Sequence, residues 1–247
     1  ATPFLLNLIL LCNSRGAFLA SLSSAVVFLG VAPSQVRKQA IFIITLGTIA
    51  AWSLLGDPQI VGRFLTTFAS ESERDSSATN RLTYWKAGLQ MIADHPIGAG
   101  GNGFKRVYGP KYIAAVAGDE YQARSVHNGY INEACEWGVQ GLILRSSFFV
   151  LAMGLSWRLT KRFATDSTIQ LAATSLVASL SAFCVSSMFG DFLDAEWGIW
   201  ICALSCVLAK VALQRTSSVQ SIRPVAHTRL VPKTLTSDAS AHTSTGS

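Results

Sequence analysis

The chain has 247 residues, of which half are hydrophobic and only 14% are charged, whereas soluble domains average about 25% charged residues. Together with a mean hydropathy of +0.37, this composition excludes an ordinary soluble domain and indicates a membrane protein. The net charge of +6 comes from scattered Lys and Arg residues. Because no basic patch is interleaved with aromatic residues, a nucleic-acid partner is not expected.

The five cysteines predict neither a disulfide framework nor a metal site. Four of them lie in apolar runs, only Cys135 lies in a polar segment, and no two form a CxxC pair. We interpret them as small hydrophobic side chains. His95 and His127 show no ligand spacing with carboxylates, so we predict no metal and no cofactor.

The sequence begins in an apolar run, residues 4–12, that is too short to span a bilayer and lacks the basic lead-in of a signal peptide. It resembles the end of a helix. We therefore expect this chain to be the C-terminal part of a longer membrane protein.

Five later apolar runs have about the 20 residues that a helix needs to cross a bilayer. The basic clusters at residues 37–38 and 158–162 place their connections in the cytoplasm under the positive-inside rule. The acidic turn at residues 191–196 therefore faces outward. The five runs cover residues 15–32, 39–56, 139–157, 168–190 and 197–213.

This topology places residues 57–138 outside the cytoplasm as one large loop. The loop contains eight Lys and Arg residues, but a segment longer than about 60 residues escapes the charge rule. Residues 1–213 would form the membrane domain, and the Ser- and Thr-rich residues 214–247 would form a disordered cytoplasmic tail. The predicted fold class is all-α, a multi-pass transmembrane helix bundle with amphipathic helices in its outer loop.

The polar segment 76–141 contains four apolar residues at steps of three, four and three, which is the period of an amphipathic helix. We expect Thr79 or Asn80 to cap this helix and Pro96 to end it. The four apolar residues are Leu82, Trp85, Leu89 and Ile92.

A second helix of the outer loop is expected to start near Ser125, to carry His127 in its first turn and to continue into the run at 139–157. The positive end of the helix dipole disfavours imidazolium and would keep the His127 ring neutral, so that it could accept a proton. A structural or surface role for this lone histidine stays open.

Three arginines need an explanation. Arg15 lies where a charge meets an apolar helix, which marks either a functional site or an anchor at the membrane interface. Arg81 begins the first helix of the outer loop and could equally be solvated. Two guanidinium groups from different segments would bind a diphosphate well. Arg145 should face the bundle interior or the outer interface, because lipid exposure costs about 2.5 kcal/mol or more.

Residues 98–103 formally match the nucleotide motif GxGxxG, but no strand precedes them and no Lys-Ser/Thr pair follows. We therefore predict an irregular turn that lets two helices pack closely. His95 is interpreted as a helix-end residue, and the absence of a GxSxG motif gives no support to serine hydrolase chemistry.

Four linked motifs resemble, in order and spacing, the superfamily of O-antigen ligases and polymerases. The resemblance covers residues 14–213 and implies further helices before this chain. The motifs are Ser14-Arg15-Gly16-Ala17, Arg81-x-x-x-Trp85, His95-Pro96-Ile97-Gly98-x-Gly100-x-x-x-Phe104, and His127-Asn128-x-Tyr130 with Glu136-x-Gly138.

The resemblance implies an enzyme of the bacterial inner membrane whose outer loop is periplasmic. The implied donor is a glycan on undecaprenyl diphosphate, and the implied acceptor is a glycan or the lipid A core. Arg15 and Arg81 match the arginines that bind the diphosphate, and His127 matches the histidine that activates the acceptor hydroxyl. The further supporting candidates are Asn128, Tyr130 and Trp85.

The resemblance implies transfer without a metal. We expect a single inverting displacement, because no carboxylate is clearly placed as a nucleophile. Asp94, Glu133 and Glu136 could orient partners. A transporter of an anionic solute is an alternative that would need a polar path across the bilayer. A non-catalytic role in envelope assembly is another. The sequence does not distinguish glycan ligation from polymerisation or protein glycosylation.

Overall fold

The computed structural model of the protein describes residues 14–55, 76–117 and 124–222. Within these ranges every regular element is a helix, which confirms the all-α prediction. The run at residues 4–12 and part of the predicted outer loop, residues 56–75, lie outside the described residues. The elements are α1 (Arg15–Val31), α2 (Ser34–Leu55), α3 (Ser76–Asp94), a π-helix (Gly103–Tyr108), α4 (Gly109–Ala117), α5 (Gly129–Arg162), α6 (Ser167–Ser187) and α7 (Glu196–Ile222).

Three helices of the described chain, α5, α6 and α7, are long and apolar enough to cross a membrane, and α1 is a shorter apolar helix. Polar residues next to these apolar stretches start the helices. The side chain of Ser14 accepts the N–H of Ala17 at 3.2 Å, and Asp166 accepts the N–H groups of Thr168 and Ile169 at 3.1 Å each. These side-chain caps satisfy donors that the first helical turn leaves free.

Small polar and aromatic side chains join the apolar helices. The hydroxyls of Ser23 in α1 and Ser181 in α6 lie 2.6 Å apart, and Ser156 in α5 donates to Ser205 in α7 at 2.9 Å. The rings of Phe149 and Phe183 pack with their centroids 5.0 Å apart. Such hydrogen bonds and close packing hold helices together where lipid removes the hydrophobic driving force.

Residues 76–117 and 124–137 form a second packing unit, which we call the interspan domain. Its core contains Tyr84, Met91 and Phe104, which are all buried. The predicted amphipathic pattern of α3 is therefore only partly correct, because Leu82 and Leu89 are exposed while the face that carries Tyr84 and Met91 is buried. The helix also begins at Ser76, earlier than the predicted caps, and ends at Asp94, before Pro96 as expected.

One polar contact ties α4 to the end of α3. The hydroxyl of Tyr112 donates to the carboxylate of Asp94 at 2.7 Å. This bond, together with burial, raises the pKa of Tyr112 to about 12. The phenol therefore stays protonated across the physiological range and keeps its donor role.

The chain from Leu213 onward forms a separate unit. Its described residues continue the helix to Ile222, so the first nine residues of the tail predicted as disordered, 214–222, are helical. Residues 223–247 lie outside the described part of the chain.

Candidate active site

Helix α5 is broken at Gly138, where φ is 73° and ψ is −179°, a conformation that favours glycine. Such a break leaves carbonyls of the preceding turn without helical partners. The glycine-rich turn supplies the donors: the N–H of Ala99 donates to the carbonyl of Cys135 at 2.9 Å, and the N–H of Gly100 donates to that of Glu136 at 2.8 Å. The turn therefore completes the hydrogen bonding of the kinked helix.

The same contact requires two glycines to face each other. Gly98 has a φ of 92°, and a Cβ atom there would overlap the backbone of Gly138, while a Cβ on Gly138 would overlap the carbonyl of Ile97. The N–H of Val139 donates back to the carbonyl of Pro96 at 3.0 Å. The prediction of an irregular turn that allows close packing is confirmed, and its backbone donors bind protein carbonyls.

His127 precedes α5 and is not part of it. The helix begins at Gly129, and the side chain of Asn128 caps it by accepting the N–H groups of Tyr130 and Ile131 at 3.0 and 3.2 Å. The backbone of His127 is left-handed, with a φ of 55°. The prediction that His127 lies in the first helical turn is therefore wrong, because Asn128 takes the cap position, and the dipole argument for a neutral ring no longer applies.

Groups from two segments surround His127. Val126, fully buried in the interspan core, anchors the segment, and the hydroxyl of Ser125 lies 3.4 Å from Nδ1 of His127. The edge of the Tyr84 ring packs against the imidazole, with centroids 6.5 Å apart and an interplanar angle of 62°. Arg81 lies three residues before Tyr84 on α3, about 60° from it around the helix axis.

The connection between α6 and α7, residues 188–195, contacts the starts of two other helices. A Cβ atom on Gly16 would lie 2.7 Å from Cβ of Phe189, and one on Gly129 would lie 2.9 Å from Cβ of Leu193. Glycine at these two positions therefore lets α1 and α5 approach the same connection closely.

These contacts bring the starts of α1 and α5 to one end of the bundle. Arg15 is the first residue of α1, and His127 lies directly before the cap of α5. The hydroxyl of Tyr130 donates to the carbonyl of Cys184 at 3.0 Å, which ties α5 to the end of α6. The starts of α1 and α5 therefore lie beside the same connection, although Arg15 and His127 are 112 residues apart in the numbering.

Asp191 of the same connection was not predicted as a site residue. Its Oδ1 atom is buried and has no hydrogen-bond partner among the described residues. A buried polar atom without a partner is costly and rare, so this carboxylate becomes a candidate for the proposed function. In the sequence, Asp191 is an acidic residue in a short turn between two apolar runs. From the sequence alone, we interpret that acidic turn only as evidence that the turn faces outward.

Glu133 and Arg145 form an ion pair across the kink. Nε of Arg145 lies 2.6 Å from Oε1 of Glu133, whose side chain is only 5% exposed. Arg145 also reaches the carbonyl of Leu193 at 3.4 Å. In a straight helix residues twelve apart would be separated by about 18 Å along the axis, so the break at Gly138 makes the pair possible. Arg145 therefore faces the protein interior. This is one of the two positions predicted for it, the other being the outer interface.

Replacing Glu133 by Gln should lower the free energy of unfolding by about 1–3 kcal/mol, because a partly buried guanidinium would lose its counter-charge. Thermal unfolding in detergent micelles would measure the change. The double variant with Arg145→Gln should cost less than the two single changes added together. Arg158→Gln, at an exposed arginine of the same helix, is the matched control. If the changes in the free energy of unfolding of the two single variants simply add in the double variant, the ion pair does not stabilise the fold.

The remaining candidates have structural positions. Trp85 packs against the interspan core, and its buried Nε1 has no hydrogen-bond partner within the described ranges. His95 stacks on Tyr108 with ring centroids 4.5 Å apart, in keeping with a helix-end role. Glu136 accepts a hydrogen bond from Asn132 at 3.2 Å.

The fold and the site define an all-helical membrane protein in which a polar helical domain brings a histidine and arginine-bearing segments to one end of the apolar bundle. A family model described as O-antigen ligase matches residues 2–146, which is more than half of the chain and includes Arg15, Arg81 and His127. The chain belongs to the O-antigen ligase family, and the resemblance of its motifs is confirmed. No curated protein matches the chain in a sequence comparison.

Proposed function

We propose that the protein is a membrane glycosyltransferase that moves a glycan from undecaprenyl diphosphate to an acceptor sugar on the periplasmic face. Membership in the O-antigen ligase family supports an enzyme of ligase or polymerase type. The observation that carries the proposal is the convergence of three distant segments: Tyr84 links the helix of Arg81 to His127, and the connection 188–195 links the start of α1 to the start of α5.

In the proposed reaction the acceptor hydroxyl attacks the anomeric carbon of the donor sugar. A new carbon–oxygen bond forms while the bond from that carbon to the diphosphate breaks, which inverts the configuration. With Nδ1 of His127 facing the hydroxyl of Ser125, Nε2 is the nitrogen that would take the proton of the attacking hydroxyl.

Arg15 and Arg81 would bind the diphosphate and stabilise the charge that grows on it as it leaves. Planar guanidinium groups bind phosphate oxygens bidentately and would act as preorganised positive charge at the leaving group. Within this scheme Asn128 and Tyr130 are positioning residues, since they set the start of α5, and Trp85 supports the helix of Arg81. The Asp191 carboxylate would accept a hydrogen bond from a sugar hydroxyl.

The test is transfer by the purified full-length protein in lipid nanodiscs, supplied with a lipid-linked oligosaccharide and with either lipid A core or a second lipid-linked oligosaccharide. Glycan on lipid A core would identify a ligase, and elongated lipid-linked glycan would identify a polymerase. A folded protein that transfers glycan to neither acceptor, together with unchanged surface glycan after deletion of the gene, would overturn the proposal.

An arginine series in the same assay separates charge from geometry. Arg81→Gln should lower transfer more than Arg81→Lys, because lysine keeps the charge and loses only the bidentate fork. Equal activity of both variants and the wild type would remove Arg81 from the site.

A further inference from the structure

Helix α3 has a second apolar side that no described residue covers. Tyr84 and Met91 point into the interspan core, whereas Leu82 and Leu89 are 46% and 58% exposed. At about 100° of rotation per residue, the two leucines lie within about 20° of each other and Leu89 points about 160° away from Met91. Leaving such side chains in water forgoes the free energy that burial of their apolar surface would release.

Helix α5 is long and apolar enough to cross a membrane, and a lipid-facing surface would begin where its apolar part begins. The apolar part of α5 starts at Val139, and Ile143 is exposed on it. The carbonyl of Ile97 packs against Gly138, so the Ile97 side chain, which is 79% exposed, lies at the level where this apolar part begins. Trp137, also exposed, stands at the same level, where tryptophan is enriched at membrane interfaces.

The end of α3 lies near that level. The helix ends at Asp94, three residues before Ile97, and three residues span at most about 10 Å. Leu89 is on the uncovered side of this end of the helix. The uncovered side of α3 therefore ends close to the level at which the apolar part of α5 starts.

We propose that α3 lies on the lipid bilayer, with Leu82 and Leu89 buried among the headgroups and the upper acyl chains. Lys86, about 40° from Leu82, is placed to reach the phosphate groups. An apolar stripe with a basic residue beside it is the pattern of helices that bind a membrane surface.

This membrane contact would set the position of Arg81 along the membrane normal. The functional consequence of this position rests on the proposed function. Around the axis of α3, Arg81 lies about 80° from Leu89 on one side and about 60° from Tyr84 on the other, and Tyr84 contacts His127. A lipid-linked diphosphate has its phosphates at headgroup level. The membrane contact would hold Arg81 at that level, between the lipid and the histidine.

The test places the photoreactive amino acid benzoylphenylalanine at Leu82, Leu89 or Gln90 of the full-length protein, in nanodiscs of phosphatidylethanolamine and phosphatidylglycerol. Gln90 is exposed and lies about 100° around the helix from Leu89, which makes it the matched control. After irradiation, mass spectrometry should find several-fold more lipid adduct at positions 82 and 89 than at position 90.

Equal lipid adducts at all three positions would overturn the proposal. A cross-link between two copies of the chain, or to a segment of the same chain, would also overturn it, because the face would then be covered by protein. The same pattern of adducts in a His127→Asn background would show that the membrane contact stands even if the proposed transfer activity fails.

Discussion

Replacement of His127 by asparagine is expected to lower the rate of glycan transfer by about 10²–10⁴-fold, the usual contribution of a general base. Asparagine cannot take a proton from the acceptor hydroxyl, but it tolerates the left-handed backbone found at this position. The loss of rate should therefore come without backbone strain. Transfer to the acceptor would be measured in nanodiscs, and thermal unfolding would confirm that the stability of the variant is retained.

The matched control for His127 is its neighbour Ser125, whose hydroxyl lies 3.4 Å from Nδ1. A contact of this length is weak, so Ser125→Ala should lower transfer by less than about tenfold, since the net contribution of a hydrogen bond is near 1 kcal/mol. Near wild-type transfer by His127→Asn would exclude the histidine as the base. An equal loss of transfer rate in both variants would instead indicate that the backbone conformation of residues 125–127 is what matters.

Substitution of Gly138 by alanine should lower the free energy of unfolding by about 3 kcal/mol or more, because strain at positive φ adds to steric overlap. The new methyl group would collide with the backbone carbonyls of Ile97 and Pro96. Transfer should fall as well, since the kink positions both the start of α5 and the glycine-rich turn. Thermal unfolding in micelles and the transfer assay would be run on the same preparation.

Alanine variants at two other glycines separate the cost of backbone strain at positive φ from the cost of steric overlap. Gly100 has a φ of 84° but open space around it, so Gly100→Ala should show the strain alone, about 1 kcal/mol. Gly154 lies within α5 and also has open space, so Gly154→Ala should be neutral or slightly stabilising. A Gly138→Ala variant no less stable than Gly100→Ala would refute the close backbone contact.

The local sequence pattern was sufficient to predict the apolar helices and to recognise the family motifs. The apolar composition around α5, α6 and α7 predicts membrane-spanning helices without tertiary information, because a bilayer requires long runs of apolar residues. The left-handed backbone of His127 was not predicted, because periodicity cannot show that Asn128 caps the helix. The buried side of α3 was misjudged for a related reason: both of its apolar sides fit a helical period, and only packing shows which one is covered.

What the sequence by itself determined is the all-helical membrane class and the family motifs, which include Arg15, Arg81 and His127. Only the tertiary structure decided how the motifs meet, because each contact joins residues far apart in the chain. The glycine-rich turn pairs with the break at Gly138 through backbone groups, which carry no side-chain signal. The ion pair of Glu133 with Arg145 joins residues on the two sides of that break, which a straight helix would hold apart.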